Sequence, residues 1–305
     1  MKPVRLLLII LGVIVALGAL AAGIALVPSV QRWAVLRAAS GQPGLKLQVQ
    51  SVSAGLSAVS LRGLELEQGG VVIKLDELDA DCSLWSLLAR HEIEIGRLQA
   101  RGLLVDASRV APAKARAGTA AAPAAAPATL ARVELPYAVT LGEIDIEGRA
   151  LFAATPGSAA LPAEFKITGG ELAPGKEGTL RLKAKLTDAS PGARVTALQA
   201  NLSLQLKQSL RRSFDRVALV ALVDADGPQF GGQNQLKVAA SLARTTNGEE
   251  YVVSIDTVRD GRLENVFGAN ARLPAGQNTF AGEWTLSARK AQLEPFFLGG
   301  VMPAF

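Results

Sequence analysis

The residues able to do chemistry are few and scattered. His91 is the single histidine, and its neighbours Glu92 and Glu94 come after it along a strand edge rather than flanking a nucleophile, so it reads as a surface histidine. Cys82 is the single cysteine; it falls in phase with Leu78 and Ala80 and reads as a small buried apolar residue. One Cys and one His cannot build a zinc site without carboxylates at ligand spacing. Asp79-Ala-Asp81 and Asp224-Ala-Asp226 are paired acids two residues apart. In a strand each pair points the same way, onto a solvated polar face. Gly227, Gly231 and Gly232 have neither a following helix nor a Lys-Ser/Thr, which a phosphate loop requires. Trp85 and Trp284 read as core or rim residues rather than as a recognition cage. No Ser-His-Asp or paired-carboxylate arrangement stands out, so an enzyme is disfavoured and no cofactor is expected.

The elements that would position a site are more informative. Leu6 to Val27 contains no charged residue, and a bilayer-spanning helix needs about 20 apolar residues. Lys2 and Arg5 precede it, which predicts a cytoplasmic N-terminus and export of the remainder of the chain. Arg5 and Trp33, the latter between Arg32 and Arg37, mark the two membrane interfaces. Ala19-Leu20-Ala21 offers the alternative of a cleaved signal peptide, but the apolar run continues past it. Residues 1–28 are therefore expected to be a single-pass anchor, with a short helix from Pro28 to Ser40 ended by Gly41.

Composition narrows the rest. Of 305 residues 49% are hydrophobic but only 5% aromatic, and the net charge of +5 is spread along the chain. No basic stripe of the kind nucleic-acid binding needs is present, and one cysteine excludes an intramolecular disulfide framework.

From Leu45 the hydrophobic period drops to two, the signature of half-buried strands. Val59 and Leu61 alternate, Gly63 intervenes, and Leu64 and Leu66 resume. Val71, Ile73 and Leu75 alternate, Glu77 slips, and Leu78 and Ala80 resume. Ile93 and Ile95 precede a slip at Gly96-Arg97 before Leu98 and Ala100. Each extra residue turns the next side chains to the other face unless a bulge or bend absorbs it, and repeated bulges curl a sheet.

Residues 29–106 are thus expected to be the short N-terminal helix plus a first β-unit. Residues 107–130 are an Ala/Pro-rich linker, and 131–305 continue the β pattern. Leu180 and Leu182, then Leu202 and Leu204, Val217 and Leu219, and Leu236 and Val238 lie on alternating runs. Turn residues such as Pro174-Gly175 and Asn247-Gly248 separate the runs. The octet Ile95 to Gly102 is echoed by Leu141 to Gly148. The end at Pro303-Ala304-Phe305 has no polar tail, as expected of a fragment. A sandwich, a closed barrel and a curled open sheet all fit this pattern.

Leu61-Arg62-Gly63-Leu64-Glu65-Leu66, Ser86-Leu87-Leu88 and Ile95 to Gly102, behind an anchor and a short helix, resemble the start of AsmA-like envelope proteins. The restart at Leu141 to Ile146 is similar to the way that family resumes after its low-complexity insertion. The resemblance implies a mainly β fold, an N-terminal transmembrane helix followed by a curled antiparallel sheet with few short helices. It also implies anchoring in a bacterial inner membrane, a periplasmic body, and a groove holding phospholipid for outer-membrane lipid homeostasis, with no catalytic residues and envelope proteins as further partners. This chain is short for a bridge across the periplasm. The groove candidates are Val59, Leu61, Leu64, Leu66, Val71, Ile73, Leu75, Leu180, Leu182, Leu202, Leu204, Val217, Leu219, Leu236 and Val238. The alternative is an assembly factor for outer-membrane proteins that pairs strands at its sheet edges.

Overall fold

The computed structural model describes residues 46–296 except 84, 87–89, 91, 110–134, 136, 154–159, 189–192, 194, 211–212, 229–233, 260 and 278. The expected anchor (with Arg5), the expected helix from Pro28 to Ser40 with Trp33, His91, most of the expected linker and the last nine residues lie outside the described residues. Among the described residues no helix is long and apolar enough to cross a membrane.

Alternating sequence becomes one sheet of thirteen strands in chain order. They are β1 (Lys46–Ala54), β2 (Ala58–Gln68), β3 (Val71–Cys82), β4 (Glu92–Asp106), β5 (Ala138–Ala153), β6 (Ala160–Leu172) and β7 (Glu177–Thr187), then β8 (Ala197–Gln208), β9 (Phe214–Asp226), β10 (Asn234–Thr245), β11 (Gly248–Arg259), β12 (Arg262–Pro274) and β13 (Ala281–Leu286). The sheet is not closed: β1 and β13 are its two edges. A short helix α1 (Lys290–Leu293) and a 3-10 turn (Glu294–Phe296) come after β13.

One pair departs from the antiparallel expectation. β4 and β5 run parallel, whereas every other pair is antiparallel. A parallel pair needs a long crossover connection, and the Ala/Pro-rich segment is that connection. It leaves the far end of β4 and returns to the end where β4 began, a distance of about 50 Å at roughly 3.3 Å per residue. The octet echo is also explained. Ile95 lies beside Leu141, Leu98 beside Ile144 and Ala100 beside Ile146, so the two copies sit side by side as the parallel pair.

The slips turn out to be shared rather than independent. Around Gly63 the ladder passes from Leu61–Leu78 to Leu64–Leu75 without a register shift. The same holds at Gln50 in β1, between Val49–Leu64 and Val52–Leu61. It holds again between β3 and β4, where the pairs Lys74–Leu104 and Glu77–Arg101 bracket Asp76 and Gly102. Because adjacent strands break pleat at one level, the hydrogen-bond ladder is kept and apolar residues face the same side above and below. Gly63 (φ 58°) and Gly102 (φ 66°) supply the left-handed backbone there.

A second break crosses β4 to β6 at Gly96, Gly142 and Glu171, the last opposite Gly142 in register. Glu171 is exposed and the only described non-glycine residue with a positive φ, 60°. That conformation costs an L-residue roughly 1–2 kcal/mol, partly offset in glycine by greater freedom of the unfolded chain. Glu171→Gly should therefore stabilise the sheet by about 0.5–1 kcal/mol, read as a higher urea midpoint at unchanged m-value.

Candidate functional site: an apolar sheet face

Partners in register share a face, so the site can be traced strand by strand. One row runs Ala54–Val59–Ala80–Leu98–Ile144–Gly169–Leu180 across β1 to β7. It continues Leu204–Leu219–Ala240–Val253–Ala269–Trp284 to β13. The adjacent row begins Val52–Leu61–Leu78–Ala100 and passes Ile146, Ile167, Leu182, Leu202, Ala221 and Val238 to Ile255, Phe267 and Leu286. Neither row contains a polar side chain. With about 4.8 Å between neighbouring strands, thirteen strands give an unbroken apolar band about 58 Å long.

The row between these two, on the opposite face, is of another kind. From β1 it reads Ser53, Ser60, Asp79, Gln99, Asp145, Thr168, Arg181 and Ser203, turning apolar only at Val220 and Ala239. Cross-strand ion pairs decorate this face, such as Lys46–Glu67 at 3.0 Å, Arg62–Glu77 at 2.8 Å and Lys74–Glu65 at 2.9 Å. Exposed as they are, each contributes at most a few tenths of a kcal/mol; their main effect is to keep this side wetted. Lys166 lies among Glu147 and Asp145, whose hydrogen bonds raise its ammonium above the ordinary lysine value.

All fifteen groove candidates fall on the apolar face. Leu75 is buried (6% exposed), and the other fourteen are half-buried. Contacts between strands run mainly to sheet neighbours, and no second sheet covers this face among the described residues. The sandwich and closed-barrel options are thereby set aside for these residues.

Of the other chemistry-bearing residues, Cys82 stands opposite Ile95 on the apolar face and is half-buried rather than fully buried. Desolvation by burial, with the nearby Asp81 charge, pushes its thiol up from the ordinary cysteine value. Asp79 and Asp81 face the polar side opposite Gln99 and Arg97, and Asp224 accepts a hydrogen bond from Gln235 at 2.8 Å. Trp85 and Trp284 are 71% and 70% exposed, so neither belongs to a core. A solvated hollow of ≈ 830 Å³ on the polar side is bordered by Glu147, Lys166 and Lys183 and by Arg149, Glu164 and Lys185. Four of these six side chains are cationic, and Glu147 and Glu164 pair with Lys166 and Arg149 across the strands. Among the described residues no group of His, Cys, Asp and Glu could hold a metal ion.

Sequence patterning missed the polar residues that close one end of the apolar face, Gln208 and Glu249, which are 0% and 5% exposed. Gln208 is the last residue of β8 and Glu249 the second of β11, and no local pattern marks either as buried.

Compared with known proteins, the chain matches no family model, no curated protein and no solved structure.

Proposed function

We propose that this protein holds phospholipid acyl chains along the apolar face of its sheet, curled into a groove, and passes them along the cell envelope from an inner-membrane anchor at residues 1–28. One observation carries the reading: two adjacent rows without a polar side chain run across all thirteen strands. Ordinary sheets cover such a face with a second layer, because each buried methylene is worth about 0.8 kcal/mol. A face left half-open over about 58 Å suits a ligand that is itself a string of methylenes. Leu, Val and Ala suit it better than large rings, since a carrier must bind chains without seizing them.

The resemblance to AsmA-like proteins supports the same reading and supplies the cellular setting of periplasm and inner membrane. The direct test is native mass spectrometry of the full chain extracted from bacterial membranes. Co-purified phospholipid is the expected result, and a lipid-free protein would remove the proposal.

A second reading rests on β13. All six of its residues are exposed, and its outer edge carries no partner strand among the described residues. An open edge of this kind accepts an added strand, the arrangement an outer-membrane assembly factor would use. Loss of lipid with retained capture of unfolded outer-membrane strands would favour it.

A further inference from the structure

After β13 the chain turns back onto the apolar face. The Ser287 amide donates to the Val266 carbonyl at 2.8 Å, and Gln292 Nε2 donates to Glu264 Oε2, so α1 sits against β12. The 3-10 turn that follows reaches β9, four strands back from the edge, and its Pro295 is buried. Strand alternation says which face is met. Leu236 and Val238 lie on the apolar side, opposite Thr257 and Ile255. One step further along the same two strands the pair is Asn234 and Arg259, and Glu264 stands opposite Thr257 on β12.

A cavity of ≈ 150 Å³ lies between these strand ends and the returning segment. Asn234, Thr257, Arg259 and Glu264 line it from the strands, and Arg289, Gln292 and Phe296 from the segment. Asn234 and Thr257 are buried. The cavity thus sets two guanidiniums against one carboxylate, whose Oε2 already receives a hydrogen from Gln292. Neither Arg259 nor Arg289 makes an ion pair among the described residues.

Two like charges facing one small space repel, and a bound anion offsets that repulsion. The surplus here is one positive charge. The anion that matches it is small, singly charged and rich in acceptor oxygens, because a guanidinium presents a fork of N–H donors. The Thr257 hydroxyl adds a further donor. At about 30 Å³ for each water-sized group the volume admits roughly five non-hydrogen atoms, as many as a phosphate contains. Phe296 walls the cavity and Leu236 lies two residues from Asn234, so apolar surface begins where the charged pair ends.

We propose that Arg259 and Arg289 clamp the phosphate of a phospholipid whose acyl chains lie on the rows through Leu236 and Val238. The site rests on the reading of the apolar face as a bed for acyl chains, and it adds the place where the headgroup is held.

The test offers the full chain, in detergent micelles, equal amounts of phosphatidylglycerol and of diacylglycerol with the same acyl chains. Native mass spectrometry reads the ratio of the two bound lipids. An about tenfold excess of the phosphate-bearing lipid is expected, the size of one hydrogen bond to a charged group. In Arg259→Gln and in Arg289→Gln the ratio should fall towards one. Arg262→Gln is the control, since Arg262 is exposed opposite Arg259 in register but does not line the cavity, and it should keep the ratio. An excess of inorganic phosphate should leave the wild-type ratio unchanged. No excess in the wild type, an excess kept in both cavity variants, or an equal loss in Arg262→Gln overturns the clamp while leaving the apolar-face reading standing. A ratio abolished by inorganic phosphate assigns the site to the free ion and overturns the lipid as the source of the phosphate. A wild-type chain that loads neither lipid overturns the apolar-face reading and the clamp with it.

Discussion

Gly142→Ala should destabilise the sheet by about 2–3 kcal/mol, among the larger costs a single methyl group imposes. A Cβ built at Gly142 would stand 2.3 Å from the carbonyl oxygen of Gly96 and 3.2 Å from its carbon, both backbone atoms of the parallel neighbour β4. On the other side, a Cβ at Gly170 would meet the Gly142 oxygen at 2.0 Å. Nothing there can rotate away, so the substitution must push strands apart at the second pleat break, where β4, β5 and β6 meet. Gly69→Ala is the useful comparison. Its turn has φ of 60° but nothing within 4 Å of the added atom, so only the backbone term of about 1 kcal/mol applies. Urea titration of both variants should give a midpoint loss for Gly142→Ala at least twice that for Gly69→Ala.

Leu202→Glu should lower phospholipid loading by about tenfold or more, because an ionised group on a lipid-contacting surface forfeits acyl contact and must stay hydrated. Leu202 is half-buried between Leu182 on β7 and Ala221 on β9, all three in one apolar row. With no covering layer over this face among the described residues, the carboxylate can reach water in the empty protein, so the fold should survive with a modest stability loss. Asn201→Glu provides the control. Asn201 is adjacent in the chain, opposite Lys183, and on the polar face. Its replacement should leave loading as it was. Loading is read by native mass spectrometry of the two variants side by side, with circular dichroism to confirm retained strand content.

Much of this architecture is legible in residue order, for a physical reason. A sheet with one wetted face and one apolar face imposes a period of two, and β7 to β11 show it almost without interruption. The slips at Gly63 and Glu77 are equally visible. That neighbouring strands break together is not, since it depends on pairing. β6 is hidden because Pro162 and the Gly169-Gly170 pair read as turn signals. In the structure Pro162 pairs with β5 just beyond the end of the β7 ladder, where its missing N–H costs little. β12 is hidden by a register shift against β11 between Ile255 and Asp256, which brings Val266 and Phe267 together and spoils the alternation. The parallel pairing of β4 with β5 is hidden for a topological reason: an Ala/Pro-rich stretch says that the chain is connecting, and not in which direction it returns. The fifteen groove candidates can be read because alternation alone selects a face. Gln208 and Glu249 cannot, because they are ordinary polar residues at strand ends until the fold buries them.

The central claim is that one face of the sheet, and not the other, touches lipid. It is tested most directly by placing a photo-crosslinking amino acid at successive positions of β8 in the full chain, irradiating in membranes, and detecting lipid adducts by mass. Adducts at Ala200, Leu202, Leu204 and Leu206, with none at Gln199, Asn201, Ser203 and Gln205, are the predicted result, in step with the two-residue period of the strand. Adducts without that period, or on the Asn201 and Ser203 side, would contradict it.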